Sequence, residues 1–268
     1  MMQTIITPPG NLLKINFHEL WEYRELLYNF VKRDIKVRYK QTLLGFLWVV
    51  LQPLFMMVIF TLLFGGIIKL SSDGVPYHLF CLSAIIPWVL FSEGLTRSTS
   101  CMISNAGIIT KVYFPRIILP IASVISPIVD FIIGFGILMA MVLYYGFIPT
   151  IMIIPFIILT LISSFTFGVW LSALNVKNRD FQYTLPFLLQ IGLYISPIVY
   201  SASIIPEQFR FIYSLNPMVG IIEGFRWCIF GTAPPGPSIF LSIGVMILFL
   251  IGGLFYFKRM ETYYADVV

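Results

Sequence analysis

The side chains that could do chemistry in this 268-residue chain are few and widely spaced. It has two histidines, His18 and His78, and 12 dispersed acidic residues. The sequence has no Gly-x-Ser-x-Gly nucleophile motif, no His-Glu-x-x-His zinc motif and no glycine-rich phosphate loop ending in Lys-Ser or Lys-Thr. Because membrane hydrolases and glycosyl transferases need clustered carboxylates, histidines or arginines, these residues argue against a catalytic role.

The three cysteines also lack the pattern of a chemical site. Cys81, Cys101 and Cys228 are odd in number and far apart, and their spacing fits neither a disulfide framework nor a metal site. We therefore predict that they are small packing residues and that the chain holds no metal.

The composition indicates an integral membrane protein. The chain is 59% hydrophobic and 11% charged, with a mean hydropathy of +0.92, whereas soluble domains carry about 25% charged residues. The first residues lack the basic and apolar parts of a signal peptide, so we expect no cleavable leader. The net charge of +5 is explained by lysines and arginines held on the cytoplasmic side, and we expect no nucleic-acid partner.

Six stretches are predicted to cross the bilayer, since a spanning helix needs about 20 apolar residues. The predicted spans are 42–68, 75–97, 117–145, 149–174, 181–204 and 238–257. Fourteen of the 17 Lys and Arg residues then fall on one side. This imbalance predicts that both termini are cytoplasmic.

An amphipathic helix is predicted over 16–39, ahead of the first span. Its apolar residues recur near a 3.6-residue period, and Asn16 and Glu19 have the spacing of a capping box. Acidic residues lie toward its beginning and a basic cluster toward its end, which suits the helix dipole. We interpret it as an interface helix on the inner leaflet; a soluble helix packed on a partner remains an alternative.

Two further segments are neither spans nor simple loops. Residues 205–230 contain two proline-started pieces, each too short to cross, and are predicted to form a helical hairpin on the outer face that serves as a gate. A plain external loop is the alternative. The loop 98–116 is predicted to be cytoplasmic, and its apolar residues indicate a surface that binds a partner.

Two sets of side chains inside or beside the spans could serve transport. Asp130 is the clearest intramembrane charge, and such residues often mark ion pathways; hydrogen bonding to Ser123, Ser126 or neighbouring helices would also explain it. Glu93 and Arg97 have the spacing of a pair on one helix face. The aromatic residues, 16% of the chain, are mostly expected in the core or interfacial belts, but stacked rings could let a sugar chain slide.

Three segments carry a resemblance to a known family. They are RDIKVRYKQTLLGFLWVVLQPL at 33–54, NAGIITKVYFPRIILP at 105–120 and LNPMVGIIEGFRW at 215–227. In this order, they resemble the membrane subunit of ABC-2 type polysaccharide exporters, which include O-antigen, capsule and teichoic acid permeases. The fold that this implies is an all-α integral membrane protein, with six transmembrane helices, an N-terminal interface helix and the hairpin before the last span.

The resemblance also implies the partners and the location. It implies a homodimer with a central channel in the bacterial cytoplasmic (inner) membrane, and two copies of a separate cytoplasmic ATPase that binds ATP and Mg. The chain itself would hold no cofactor and would be no enzyme. The substrate would be a polysaccharide linked to a lipid of the undecaprenyl diphosphate type.

The predicted site residues form four sets. The ATPase-coupling set is Asn105, Ile108, Ile109, Lys111, Val112, Tyr113 and Phe114. The substrate-channel set is Tyr39, Phe46, Trp48 and Tyr194. The lipid-diphosphate entrance is Lys32, Arg33, Lys36, Arg38 and Lys40, whose charges are also explained by anchoring to anionic lipids. The outer gate set is Pro206, Asn216, Pro217, Glu223 and Arg226.

Three other functions compete with glycan export. The same fold could form an ABC-2 permease for a small drug or lipid. A secondary transporter could use Asp130 to couple transport to protons. A membrane enzyme that modifies glycans is disfavoured by the missing catalytic cluster.

Overall fold

The computed structural model describes residues 17–40 and 45–267, and within these ranges it contains helices and no strands. The side chains of 17, 45, 46 and 262–267 lie outside the description. Twelve α-helices follow one another in the described ranges. They are α1 (Phe17–Glu22), α2 (Arg24–Lys40), α3 (Gly45–Phe60), α4 (Tyr77–Ser104), α5 (Ala106–Ile109), α6 (Ile118–Ile125), α7 (Ile128–Tyr144), α8 (Ile153–Lys177), α9 (Phe181–Ile195), α10 (Glu207–Tyr213), α11 (Pro217–Phe230) and α12 (Ser238–Val267).

Five helical stretches of the described chain are long and apolar enough to cross a bilayer. They are Leu47–Ile67, Tyr77–Ser104, Ile118–Tyr144, Ile153–Lys177 and Ser238–Glu261. These stretches correspond to predicted spans one, two, three, four and six. The fifth predicted span, 181–204, contains α9, whose 15 residues extend about 22 Å at 1.5 Å per residue, followed by an irregular segment and a short 3-10 helix, Ala202–Ile204.

The helix α4 lies at the centre of the bundle. It packs against α3, α6, α7, α8, α9 and α11, and most of its side chains are buried. Small residues bring α4 and α8 close together: a Cβ at Gly168 would lie 2.4 Å from Oγ of Ser98. By contrast, α3 and α12 leave most of their apolar side chains exposed or only partly buried in the single chain, where lipid or a second chain can cover them.

A buried cluster of apolar side chains packs together the helix ends at one end of the bundle. It includes Phe30 of α2, Ile109 and Phe114 after α4, Val176 at the end of α8 and Phe257 of α12. We call this the α2 end of the molecule. At the opposite end, the backbone N–H of Thr150 donates to the carbonyl of Cys228 over 2.8 Å, and Phe147 packs edge-on against Phe230 with ring centroids 5.2 Å apart.

Several boundaries differ from the sequence-based predictions. The loop predicted over 98–116 begins only at Asn105, because α4 continues to Ser104. The hydroxyls of Thr96, Thr99 and Ser104 each donate to the carbonyl four residues earlier, so this polar stretch satisfies its own side chains while staying helical. The interface helix is interrupted at Tyr23, and its predicted cap, Asn16, lies outside the described residues.

The first span ends in an unusual helical segment. Residues Thr61–Ile67 form a π-helix, a rare form that occurs often at functional sites. Lys69 and Asp73 then adopt positive φ angles of 57° and 53°, a conformation uncommon outside glycine. The carboxylate of Asp73 accepts a 2.5 Å hydrogen bond from Ser201 Oγ, so this turn contacts the chain that leads into the hairpin.

Candidate functional site

A cluster of four charged side chains joins α2 to two spans. Nη1 of Arg38 lies 2.8 Å from Oδ2 of Asp130 on α7 and 3.0 Å from Oε2 of Glu93 on α4. Arg97, one turn further along α4, lies 3.2 Å from the same Glu93 oxygen, which confirms the predicted pair. With two cations and two anions, the cluster is neutral.

Asp130 is the buried member of this cluster, with 7% of its surface exposed. Its Oδ1 accepts a hydrogen bond from the hydroxyl of Tyr39. Burial, and secondly Asp130, raise the pKa of Tyr39 to about 12, so this phenol is protonated and remains a donor at neutral pH. The carboxylate therefore has two partners, and both lie on α2.

Of the predicted alternatives for Asp130, namely Ser123, Ser126 or neighbouring helices, the last is confirmed. The polar groups of a neighbouring helix bind Asp130, but Ser126 donates instead to the carbonyl of Ala122 over 2.7 Å, and Ser123 belongs to the buried cluster of α6. Arg38 and Asp130 lie far apart in the sequence, so no local pattern predicts that they pair. The pairing arises because α2 packs along α6, which directly precedes α7.

A cavity adjoins the charged cluster between α3, α4 and α7. Arg38, Glu93 and Asp130 form its polar wall, and Val49, Gln52, Pro53, Ile86, Val89, Leu90, Pro127, Phe131 and Gly134 complete the lining. Gln52, which belongs to the first span, therefore lines the same cavity as the charged cluster. This arrangement leaves space directly beside the ion pairs.

The five predicted entrance residues divide into two groups. Arg38 is bound by carboxylates, and Nη2 of Arg33 lies 2.7 Å from Oδ1 of Asp34. Lys32, Lys36 and Lys40 are exposed and, at four-residue spacing, follow one face of α2. These three lysines are the members available to an anionic group.

The predicted coupling residues also divide, because only some of them point outward. Lys111, Val112 and Tyr113 are exposed, with Val112 at 55% and Tyr113 at 68%. Ile109 and Phe114 are buried, and the Phe114 ring lies 5.7 Å from that of Phe30 on α2. The remaining two are Asn105, which is buried and donates to the Cys101 carbonyl over 2.8 Å, and the half-buried Ile108.

The predicted gate segment forms two helices, as expected. The α10 arm is mostly exposed, whereas the α11 arm is largely buried. Asn216 caps α11 by accepting a 3.0 Å hydrogen bond from the N–H of Met218, with Pro217 in the first turn. Pro206 lies immediately before α10, at the position that Asn216 has before α11.

Side chains satisfy the carbonyl groups that are left open where α9 ends. The hydroxyl of Tyr200 donates to the Ile195 carbonyl over 2.8 Å, and Tyr77 donates to the Val199 carbonyl. Nη2 of Arg226 lies 3.1 Å from the Ile198 carbonyl. Such partners allow irregular backbone inside a membrane protein, since an unpaired carbonyl there is costly.

Arg226 is the most deeply buried charge of the predicted gate set. It is 4% exposed, and its guanidinium carbon lies 3.4 Å from the centre of the Phe80 ring. Glu223, one turn earlier on α11, is half-buried. Tyr77, Tyr200 and Asp73 were missed by the sequence-based prediction; the pair Asp73-Gly74, which is typical of turns, is the local signal that could have drawn attention to this region.

The predicted channel residues have different surroundings in the described part of the chain. Trp48 and Tyr194 are 60% and 53% exposed, as a channel or a lipid surface would require. Tyr39 is engaged by Asp130, and the side chain of Phe46 lies outside the described residues. In the same residues, no group of three or more His, Cys, Asp or Glu side chains could hold a metal ion.

Comparison with known proteins assigns the family. The model of the ABC-2 type transporter family matches residues 25–230, which include α2, the spans up to α9 and the α10–α11 hairpin. The chain belongs to the ABC-2 type transporters. Its α2, the loop after α4 and the hairpin are therefore parts of an ABC-2 membrane domain.

Curated relatives of this ABC-2 chain extend over nearly its whole length. It is 28% identical to the O-antigen export system permease protein RfbA of Myxococcus xanthus, over 91% of this chain and 96% of that protein. It is 29% identical to an RfbA permease of Klebsiella pneumoniae over 91% and 95% of the two chains. The polysialic acid transport protein KpsM of Escherichia coli is 25% identical, over 86% and 92%.

Proposed function

We propose that this chain is the channel-forming permease subunit of an ATP-driven exporter of a lipid-linked polysaccharide, such as an O-antigen. The observation that carries the proposal is the similarity, over at least 86% of the chain, to permeases named for O-antigen and polysialic acid transport. The chain crosses the bacterial cytoplasmic membrane six times as a homodimer, with both termini inside. Two copies of a separate ATPase bind ATP and Mg and drive export by hydrolysing the ATP.

The four residue sets have distinct roles in this proposal. Lys32, Lys36 and Lys40 receive the lipid diphosphate at the cytoplasmic entrance, while Arg33 and Arg38 position α2. The aromatic residues Phe46, Trp48 and Tyr194 line the channel. The α10–α11 hairpin closes it at the outer face, with Arg226 and Asn216 fixing the buried arm.

The structure favours ATP-driven export over proton coupling through Asp130. A proton-carrying carboxylate needs access to a pathway and a neutral state during the cycle. Arg38 lies 2.8 Å from this carboxylate and Tyr39 donates a hydrogen bond to it, so both of its oxygens face partners on α2. The ABC-2 family assignment points to the same conclusion.

In this proposal, the ATPase docks on the exposed part of the loop 105–114, which contains the predicted coupling residues and which we call the coupling loop. Val112 and Tyr113 present apolar surface at the α2 end, and tyrosine is among the residue types that contribute most to binding at protein interfaces. The buried Ile109 and Phe114 hold the loop on α2 and are not themselves contact residues.

An export assay with a docking variant tests this function. We expect the wild-type chain and its ATPase to restore surface polysaccharide in cells that lack their own exporter. Val112→Asp should abolish export and copurification of the ATPase, because burying an unpaired charge in an interface costs on the order of several kcal/mol. The control is Ile148→Asp, which changes an 87% exposed side chain at the opposite end.

The outcomes separate the parts of the proposal. Accumulation of lipid-linked glycan inside cells carrying Val112→Asp, with normal export in Ile148→Asp, supports it. Normal export and ATPase binding by Val112→Asp would contradict the docking surface. Failure of the wild-type pair to export any lipid-linked glycan would contradict the function itself.

A further inference from the structure

The helix α2 is held to the rest of the molecule at two points of different chemistry. Near its middle, Phe30 is buried and contacts Phe114 of the coupling loop. Eight residues later, about 12 Å along the helix, Arg38 contacts α4 and α7. One helix therefore joins the coupling loop to two membrane-spanning helices.

The second attachment is electrostatic and spans three helices. A single guanidinium lies within 3.0 Å of carboxylates from two different spans, so α4 and α7 can separate at this level only by breaking an ion pair. No aligned hydrogen bond reaches Oδ2 of Asp130 among the described residues, although Arg38 lies 2.8 Å away. The attraction between the two opposite charges, rather than a directional hydrogen bond, thus holds this contact.

A purely structural role explains this attachment poorly. Replacing a buried ion pair by apolar side chains is often neutral or stabilising, so stability alone does not call for charges here. The cavity beside the cluster gives Arg38 and Gln52 room to rearrange. Elements that have two discrete arrangements are the ones that carry movement between distant sites.

We propose that the cluster of Arg38, Glu93 and Asp130 is the joint that transmits movement of the coupling loop to the spans α4 and α7. This proposal rests on the proposed ATP-driven function. When the ATPase moves the coupling loop, α2 moves with it through Phe30 and Phe114, and Arg38 shifts the two spans that border the cavity. The three side chains are positioning residues and do not contact the substrate.

The chain contains a matched control for this joint. Asp34 lies four residues before Arg38 on the same helix and also pairs with an arginine, Arg33, over 2.7 Å. That pair is made within α2 and joins no span. Asp34→Asn and Asp130→Asn therefore remove the same charge, but only the second removes a contact between helices.

The test uses the complete complex of permease and ATPase in liposomes containing lipid-linked glycan. We measure glycan exported per ATP hydrolysed for wild type, Arg38→Gln, Glu93→Gln, Asp130→Asn and Asp34→Asn. Loss of the joint should reduce this ratio about 5-fold or more, the lower range of coupling between linked sites, while ATP hydrolysis continues. Asp34→Asn should match wild type.

A distance measurement detects the joint independently of export. Spin labels at Val37→Cys on α2 and Ile132→Cys on α7 use exposed positions, and the native cysteines are buried. In wild type and in Asp34→Asn, we expect the label distance to keep one narrow distribution when ATP is added, because α2 and α7 move together. In Arg38→Gln and Asp130→Asn, the α2 and α7 labels should move independently and give a broader distribution.

The double variant Arg38→Gln with Asp130→Asn should lose no more coupling than Arg38→Gln alone, because that single variant already removes both contacts of the joint. Export per ATP at the wild-type level in Arg38→Gln and Glu93→Gln, with an unchanged label distribution, would overturn the proposal. If Asp130→Asn does not fold, Glu93→Gln still tests the proposal, because Glu93 is only half-buried and its replacement disturbs the fold less. A wild-type complex that neither hydrolyses ATP nor exports would instead contradict the proposed function.

Discussion

Arg226 combines deep burial with a charge that the fold uses as a hydrogen-bond donor. Its guanidinium reaches the carbonyl of Ile198 in the irregular segment after α9 and lies over the ring of Phe80 on α4. A buried cation is tolerated only when such partners replace its hydration. Arg226 thus joins the buried arm of the hairpin to two other elements.

Replacing Arg226 should destabilise the protein much more than replacing a surface arginine. Arg226→Met leaves the Ile198 carbonyl without its donor, and we expect the free energy of unfolding to fall by about 2–3 kcal/mol, the value of a charge-assisted hydrogen bond. Denaturation of the purified protein in detergent measures this loss. In Arg210→Met, which removes an exposed pair with Glu207, the loss should be below about 1 kcal/mol, and equal losses in both variants would contradict this account.

At the scale of elements, the position of the hairpin depends on close packing between α8 and α11. A Cβ at Gly224 would lie 1.9 Å from Cε1 of Phe156, so the Phe156 ring lies directly against the α11 backbone. Gly220, one turn earlier, faces Ile239 of α12 in the same way, with a Cβ contact of 3.2 Å. The glycines allow α11 to lie between two spans.

Gly224→Ala should therefore push α11 away from α8. We expect a loss of stability of about 1–3 kcal/mol, as for overpacking of a core. The control Gly244→Ala, in α12, adds a methyl group where no atom lies within 4 Å and should be neutral or stabilise by up to about 1 kcal/mol. Unfolding in detergent gives both values; a Gly224→Ala protein as stable as Gly244→Ala would show that α11 does not lie this close to α8.

The helices were predicted from the sequence more accurately than the contacts between them. Long apolar runs and the turn at Gly146 located the spans, and Asn216 with Pro217 located the start of α11, because these signals are local. The end of α9 could not be predicted in this way. Its irregular continuation depends on donors from Tyr77 and Arg226, which lie far away in the sequence.

The candidate site shows the same division. The basic run 32–40 identified the junction of α2 with the first span, but charge type alone could not separate Arg38, which binds two carboxylates, from the exposed Lys36. The apolar loop 105–114 was predicted as one surface. Helix packing divides it, since Ile109 and Phe114 turn inward and Val112 and Tyr113 turn outward.

At the scale of the whole molecule, the arrangement of the helix ends bears on the number of crossings. Phe30 of α2, Phe114 after α4, Val176 of α8 and Phe257 of α12 share one buried cluster at the α2 end. The loop after α7 and the end of α11 meet at the opposite end. The chain must therefore travel from the end of α8 to the hairpin through α9, and α12 must return it.

This path supports α9 as a sixth crossing, despite its length of about 22 Å at 1.5 Å per residue. The segment after it, which includes Ser196, Ile198 and Val199, is buried by protein, which is the condition for irregular backbone at membrane depth. Six crossings place Arg179 and Arg259 on the inside and Phe209 on the outside. If α9 does not cross, Phe209 is inside and Arg259 is outside.

Single cysteines at these three exposed positions distinguish the two topologies, because the native Cys81, Cys101 and Cys228 are buried. An impermeant maleimide should label Phe209→Cys in intact cells, and Arg179→Cys and Arg259→Cys only in inside-out vesicles. Ile148→Cys, between α7 and α8, is the control for outside labelling. Labelling of Arg259→Cys in intact cells, together with protection of Phe209→Cys, would mean five crossings and would place the hairpin on the side of the ATPase, where it could not act as an outer gate.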